Sequence, residues 1–203
     1  MKVSREQAAE NRARVVEVAG RLFRENGFDG IAVADIMKGA GLTHGGFYNQ
    51  FASKDDLAAQ ACAQVLAEAA MRWQKLGAGD DPLGALVNSY LSARHRDGPA
   101  KGCAIPSLAA EAVRQPAPVR AAFTKGLTDF IAILATFVPG RSAAARRERA
   151  LATMNGMVGA MVLARAVNDS ALSTEILDAG AKAFGRSASA VDKATSRTRM
   201  RPA

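Results

Sequence analysis

The sequence predicts an all-α protein, on three observations. Strand-favouring runs of Val, Ile, Thr and Tyr are nearly absent, and alanine is abundant. Apolar side chains recur at helical spacing along most of the chain. Glycine and proline breaks separate the periodic stretches, as helix ends require. With 203 residues, 49% of them apolar, there is enough material to bury a core.

The first helix starts at Ser4, where Ser4 and Gln7 make a capping box whose hydroxyl and amide each satisfy an orphan backbone donor. Val15, Ala19, Leu22 and Phe23 follow at helical spacing, and Gly27 sits where a left-handed C-terminal residue is wanted. A short second helix is expected from Val33 to Ala40. Gly41-Leu42 then form a tight turn, and Thr43 caps a third helix reaching Phe51. Ser53 with Asp56 opens a long fourth helix, with Leu57, Ala61, Val65, Leu66 and Trp73 near one face. After the break at 77–82, helices are expected over 83–96, 105–114, 117–137, 143–167 and 171–185. Residues 186–203 lack apolar periodicity and read as a disordered basic tail.

The formal charge of +8 points to an acidic partner, phosphate being the commonest. Residues 1–60 carry eight basic and eight acidic side chains, 61–181 carry 13 and 10, and 182–203 carry six and one. The excess therefore lies towards the C-terminus, and charge alone does not locate a nucleic-acid contact. Cys62 and Cys103 fit neither a disulfide framework nor a metal spacing, so no metal or cofactor is expected. With no signal peptide, a reducing cytoplasm is the expected setting. The longest uncharged apolar run, Ala150 to Ala164, has 15 residues, against roughly 20 for a membrane span. A soluble chain without a membrane partner is expected.

The informative stretch is Asp35 to Lys54, DIMKGAGLTHGGFYNQFASK. A helix-turn-helix needs one helix that braces and a second that enters the major groove. Ile36, Ala40, Leu42 and Phe47 supply the small apolar contacts between them, and Gly41 permits the turn. His44-Gly45-Gly46 is a poor helix opening, since each glycine costs about 1 kcal/mol relative to alanine in a helix interior. Glycine removes bulk, so that backbone and neighbouring side chains can approach base edges. Tyr48 and Lys54 can then reach phosphates, while Thr43, His44 and Asn49 offer groups to bases or backbone. A glycine-weakened surface helix in an ordinary bundle is the alternative.

The segment GFDGIAVADIMKGAGLTHGGFYNQFASKDDL resembles the N-terminal domain of the tetracycline-repressor (TetR) family. The resemblance rests on Gly27-Phe28, Ile36, Ala40-Gly41-Leu42, Phe47-Tyr48, Phe51, Lys54 and Leu57, and covers residues 10–60. Beyond that, only length and helix pattern resemble the family. Two positions depart: Ile31 and Ala32 stand where Ser or Thr often precedes the second helix, and Gln50 where His is frequent. The resemblance implies a homodimeric repressor of operator DNA, released by a small effector. It implies a DNA-binding domain at 1–55, an effector-binding and dimerisation domain at 56–185, and the tail. The implied DNA-binding residues are Val33 through its backbone, Thr43, His44, Gly45, Phe47, Tyr48, Asn49 and Lys54. Arg5 and Arg12 are placed either near DNA or on a solvated face.

One recognition helix per subunit requires a pair, and the last two helices are expected to supply it. Met154, Met157, Val158, Met161 and Val162, with Leu172, Ile176 and Phe184, form the expected dimer face, the alternative being intramolecular core. Leu66, Ala70, Trp73, Leu86, Tyr90, Phe123, Leu127 and Phe130, with Cys103, are the expected walls of a site for a mostly apolar effector. The stripe of Phe123, Leu127, Phe130, Leu134 and Phe137 reads first as plain core, with a cavity lining as the alternative. Cys103 precedes a helix and follows Lys101, both of which favour thiolate, so a thiol-based response to oxidants or electrophiles is a further reading. No Gly-rich phosphate loop or paired-His metal motif appears, which argues against an enzyme. A helical interaction module without DNA binding is the remaining rival.

Overall fold

A computed structural model describes residues 4–185, and the basic tail at 186–203 lies outside the described residues. Among these, the elements are α1 (Arg5–Asn26), α2 (Val33–Gly39), α3 (Lys54–Leu76), α4 (Pro82–Tyr90), α5 (Ala93–Asp97), α6 (Ala104–Ala112), α7 (Ala117–Phe137), α8 (Ala143–Ala166) and α9 (Ser170–Phe184). Short 3₁₀ turns lie at His44–Gly46 and Pro99–Lys101. The all-α expectation holds.

The helix starts follow from local chemistry. Ser4 Oγ accepts the Gln7 N–H at 3.1 Å, but the Gln7 amide turns to Glu10 and Asn11 rather than back to the cap, so half of the expected capping box forms. Ser53 Oγ accepts the Asp56 N–H, and Asp56 Oδ2 accepts the Ala52 N–H in return. Asp81 with Pro82 opens α4, Ser142 caps α8, and Asp169 caps α9 twice over. The helix expected over 83–96 is broken in two. At Leu91 the backbone leaves the helical region (φ −90°, ψ 48°), and Ser92 Oγ accepts the His95 N–H, capping a new helix. Serine competes for backbone donors inside a helix, and here it wins.

The described residues form two compact units, one of residues 4–69 with 98–127 and the other of 70–97 with 128–185. The first unit thus extends past residue 55, into α3 and α6. Its core is built on Val15, Ala19, Phe23, Phe28, Ile36, Met37, Phe47, Phe51, Leu57 and Leu108, all buried.

In the second unit, α8 and α9 make the most extensive helix pairing. Met154, Met157 and Met161 are fully buried between elements of this one chain. Phe184 covers Gly156 so closely that a Cβ there would lie 2.0 Å from its ring. The three methionines therefore form intramolecular core, correcting their assignment to a dimer face, while Phe184 is half-buried. A helical stripe read from sequence cannot tell its own core from a partner's. Trp73 stacks on Phe130 (centroids 4.4 Å apart), Tyr90 meets Trp73 edge-on, and His95 packs on Tyr90. Arg165 of α8 donates to the His95 and Arg96 carbonyls, satisfying the C-terminal end of the short α5.

Burial lowers the pKa of His95 below its ordinary value, although its Nδ1–H donates to the Tyr90 carbonyl at 2.7 Å. The folded protein therefore holds His95 neutral where the unfolded chain takes a proton. Stability from this group is present above about pH 6.5, and falls as the pH drops through the lower folded value. Denaturation midpoints should decline in that window by less than a one-proton dependence. The decline attributable to His95 should vanish in His95→Asn, whose amide can still donate to Tyr90. Equal pH slopes for the two proteins would refute the assignment.

Candidate nucleic-acid interface

The bracing helix α2 lacks a side-chain cap, since Ala32 has no oxygen to offer. Its C-terminus is the better-defined end. The Leu42 N–H reaches the Met37 carbonyl (2.9 Å) and the Gly41 N–H the Lys38 carbonyl (3.0 Å), with Gly41 at φ +70°. This is a Schellman closure, and its left-handed position is why glycine is needed there. Ile36, Met37 and Ala40 are buried, so one face of α2 is fixed in the core of the first unit.

The segment that follows departs from the expected helix. Thr43 is extended (φ −79°, ψ 146°), His44–Gly46 form a single 3₁₀ turn, and residues 47–50 continue as bends and turns. The bonds run Gly46 N–H to Thr43 and Phe47 N–H to His44, with one α-type closure from Phe51 N–H to Phe47. Two successive glycines raise the cost of regular helix enough for the tighter turn to replace it.

What holds the segment is aromatic packing. Phe47 is 0% exposed, stacked on Phe51 at 5.5 Å and edge-on to Tyr48 at 5.1 Å. Phe47 therefore cannot touch DNA directly, which corrects the expectation that it is a contact residue; it anchors the segment. The buried anchor turns its neighbours outward. Tyr48 is 70% exposed, and Thr43, His44, Gly45 and Asn49 are exposed as well. A Cβ on Gly45 would meet nothing within 4 Å, so its surface is open to an incoming partner. His44 lies edge-on to Tyr48 at 6.4 Å.

Lys54 begins α3 and is half-buried, and Val33 begins α2, also half-buried. Each thus stands at a helix N-terminus, where backbone N–H groups and the helix dipole favour anions. Arg12 has a role that spacing could not show: its guanidinium lies 4.4 Å above the Phe51 ring, and its Nη1 is buried without a hydrogen-bond partner. Arg5 is exposed. Gln50, at the departing position, donates weakly to the Gly46 carbonyl (3.5 Å).

The expected effector walls fall in different units. Leu66, Cys103, Phe123 and Leu127 belong to the first, and Ala70, Trp73, Leu86, Tyr90 and Phe130 to the second. Most are buried, Phe123 is half-buried, and Leu127 is exposed. Cys103 is the N-cap residue of α6, buried, and its thiol caps no backbone N–H. Cys62 is buried too, and desolvation pushes its thiol up to about 12, with Arg24 acting weakly the other way. Of the expected dimer face, Val162 and Leu172 are both 43% exposed, and Val158 and Ile176 are half-buried. Leu151 and Leu163, which the sequence reading did not single out, are also exposed on α8. No helix of the described residues is long and apolar enough to cross a membrane.

With this geometry in place, comparison with known proteins is informative. The family of bacterial regulatory proteins of the tetR type matches residues 15–61. The HTH-type transcriptional regulator AcrR of Shigella flexneri is 37% identical over 54 residues, 27% of this chain and 25% of that protein. The match thus spans about a quarter of the curated relative's length. Whole-chain likeness comes from solved structures. The reduced form of NemR from E. coli superposes with a TM-score of 0.73 at 22% identity, over 85% of this chain and 94% of that one. A TetR transcriptional regulator from Chloroflexus aurantiacus gives 0.71 at 26% identity, over 87% and 95%. Residues 15–61 thus carry the helix-turn-helix of the tetR type of bacterial regulatory proteins, and the all-helical fold around them is the one seen in solved TetR-type regulators.

Proposed function

We propose that the chain is a cytoplasmic transcriptional repressor that binds palindromic operator DNA as a homodimer and is released by a small, mostly apolar effector. The observation that carries this reading is the exposed row of Thr43, His44, Gly45, Tyr48 and Asn49, held out by the buried Phe47. His44 and Gly45 read bases. Tyr48 and Lys54 contact phosphates, with Thr43 and the backbone at Val33 assisting. The curated AcrR relative and the solved Chloroflexus aurantiacus neighbour are transcriptional regulators by name, which supports regulation over an enzymatic role.

Pairing rests on α8 and α9, whose Leu151, Val158, Val162, Leu163, Leu172 and Ile176 leave apolar area at the surface of one chain. A two-fold pair of such faces fits a palindromic site with half-sites about 34 Å apart.

Selection of duplexes from a random pool, followed by a salt titration, tests the reading. The wild-type protein should enrich a palindrome. Lys54→Ala should weaken binding to every sequence alike and reduce the slope of log affinity against log salt by about 0.9. An unchanged slope would remove Lys54 from the phosphate contacts, and failure to enrich any duplex would remove the function.

A further inference from the structure

In the first unit, the corner between α1 and α2 is held from far away in sequence. Gly27 ends α1 at φ +78° and ψ 174°, a conformation essentially restricted to glycine. The next N–H, that of Phe28, donates to Glu111 Oε2 of α6 at 2.8 Å. The carboxylate rests directly on the glycine, since a Cβ at Gly27 would lie 2.6 Å from Glu111 Oε1. One turn earlier, Arg24 donates through Nε (2.9 Å) and Nη2 to the Ala100 carbonyl, in the 3₁₀ turn that leads into α6. The Phe28 ring is buried 5.4 Å from Phe23, so the corner is pinned by one apolar and two polar contacts.

This remote bracing coincides with a local deficit. Between Phe28 and α2 the chain provides no capping side chain, because Ala32 stands at the N-cap. The direction in which α2 leaves the corner is therefore set by its buried face together with contacts made upstream. Since α2 braces the 43–51 segment, an error at Phe28 is carried to the exposed row.

We propose that Glu111 is a positioning residue for the helix-turn-helix, fixing the α1–α2 corner so that DNA affinity and the placement of α6 are linked. The proposal rests on the DNA-binding reading above. Linkage is reciprocal: if α6 steadies the corner for DNA, then bound DNA must steady α6.

The test uses the full chain and the duplex that the wild-type protein enriches from a random pool. Affinity is compared for wild type, Glu111→Gln, Glu111→Ala and Arg24→Met, each at a temperature where circular dichroism shows it fully folded. Glu111→Ala should bind at least tenfold more weakly, with an unchanged salt slope because Glu111 touches no phosphate. Glu111→Gln keeps an acceptor oxygen and should recover most of the loss. The duplex should slow amide exchange across 104–112 in the wild type and fail to do so in Glu111→Ala. Arg24→Met carries the same comparison should Glu111→Ala not fold. Binding by Glu111→Ala within twofold of wild type, no rescue by Glu111→Gln, or no DNA-dependent protection of α6 would each overturn the proposal while leaving DNA binding intact. A wild-type protein that enriches no duplex would instead overturn the DNA-binding reading, and the positioning role with it.

Discussion

Replacing Phe47 by alanine is expected to destabilise the protein by about 3–5 kcal/mol and to abolish duplex binding. The side chain is fully buried and carries the stack that orders the segment: Phe51 on one side, Tyr48 at its edge, and Arg12 over Phe51. The segment makes few backbone bonds of its own, because it is a 3₁₀ turn followed by bends. Removing the ring removes the principal order of the segment along with its buried area. If unfolding is cooperative, the loss corresponds to a drop in Tm of roughly 6–20 °C. Tyr48→Ala is the control. Tyr48 is mostly exposed, so stability should stay within about 0.5 kcal/mol, while duplex affinity falls. A Phe47→Ala protein that melts within about 2 °C of wild type would show that the segment is ordered by something other than this stack.

The second large effect is expected at the surface of α8 and α9. Val162→Arg combined with Leu172→Arg should yield a folded monomer, because both positions are exposed in the single chain and neither lies in its core. Losing the second half-site should weaken duplex binding by about 10²–10⁴-fold, the usual gain from tethering two contacts. Sedimentation velocity reads the first outcome and duplex titration the second. Met157→Ala distinguishes surface from core on the same helix. Fully buried, it should lose about 2–5 kcal/mol of stability, without making a monomer of what remains folded. A double-arginine protein that still sediments as a dimer would place the interface elsewhere.

Read in order, these substitutions separate what local pattern can specify from what it cannot. Helix class, the Ser53–Asp56 start, the glycine turn at Gly41 and the helix-turn-helix itself were all legible in the sequence, because each depends on residues within a few positions of one another. The exposed row beside Phe47 was also legible, through its spacing. The helical form expected for 43–51 was not borne out, since two glycines weigh against helix more heavily than the flanking pattern weighs for it.

What the sequence by itself determined is therefore the all-helical class of the chain and the location of its helix-turn-helix. Only the tertiary structure decided which apolar residues of α8 are core and which are surface, since Met157 and Val162 have the same hydrophobic character and differ only in what surrounds them. It also decided the long-range polar contacts, Phe28 with Glu111 and Arg24 with Ala100, across 83 and 76 positions of chain. No periodicity signals such a pair. A hydrogen bond between residues so distant exists only once packing has brought donor and acceptor within about 3 Å of one another.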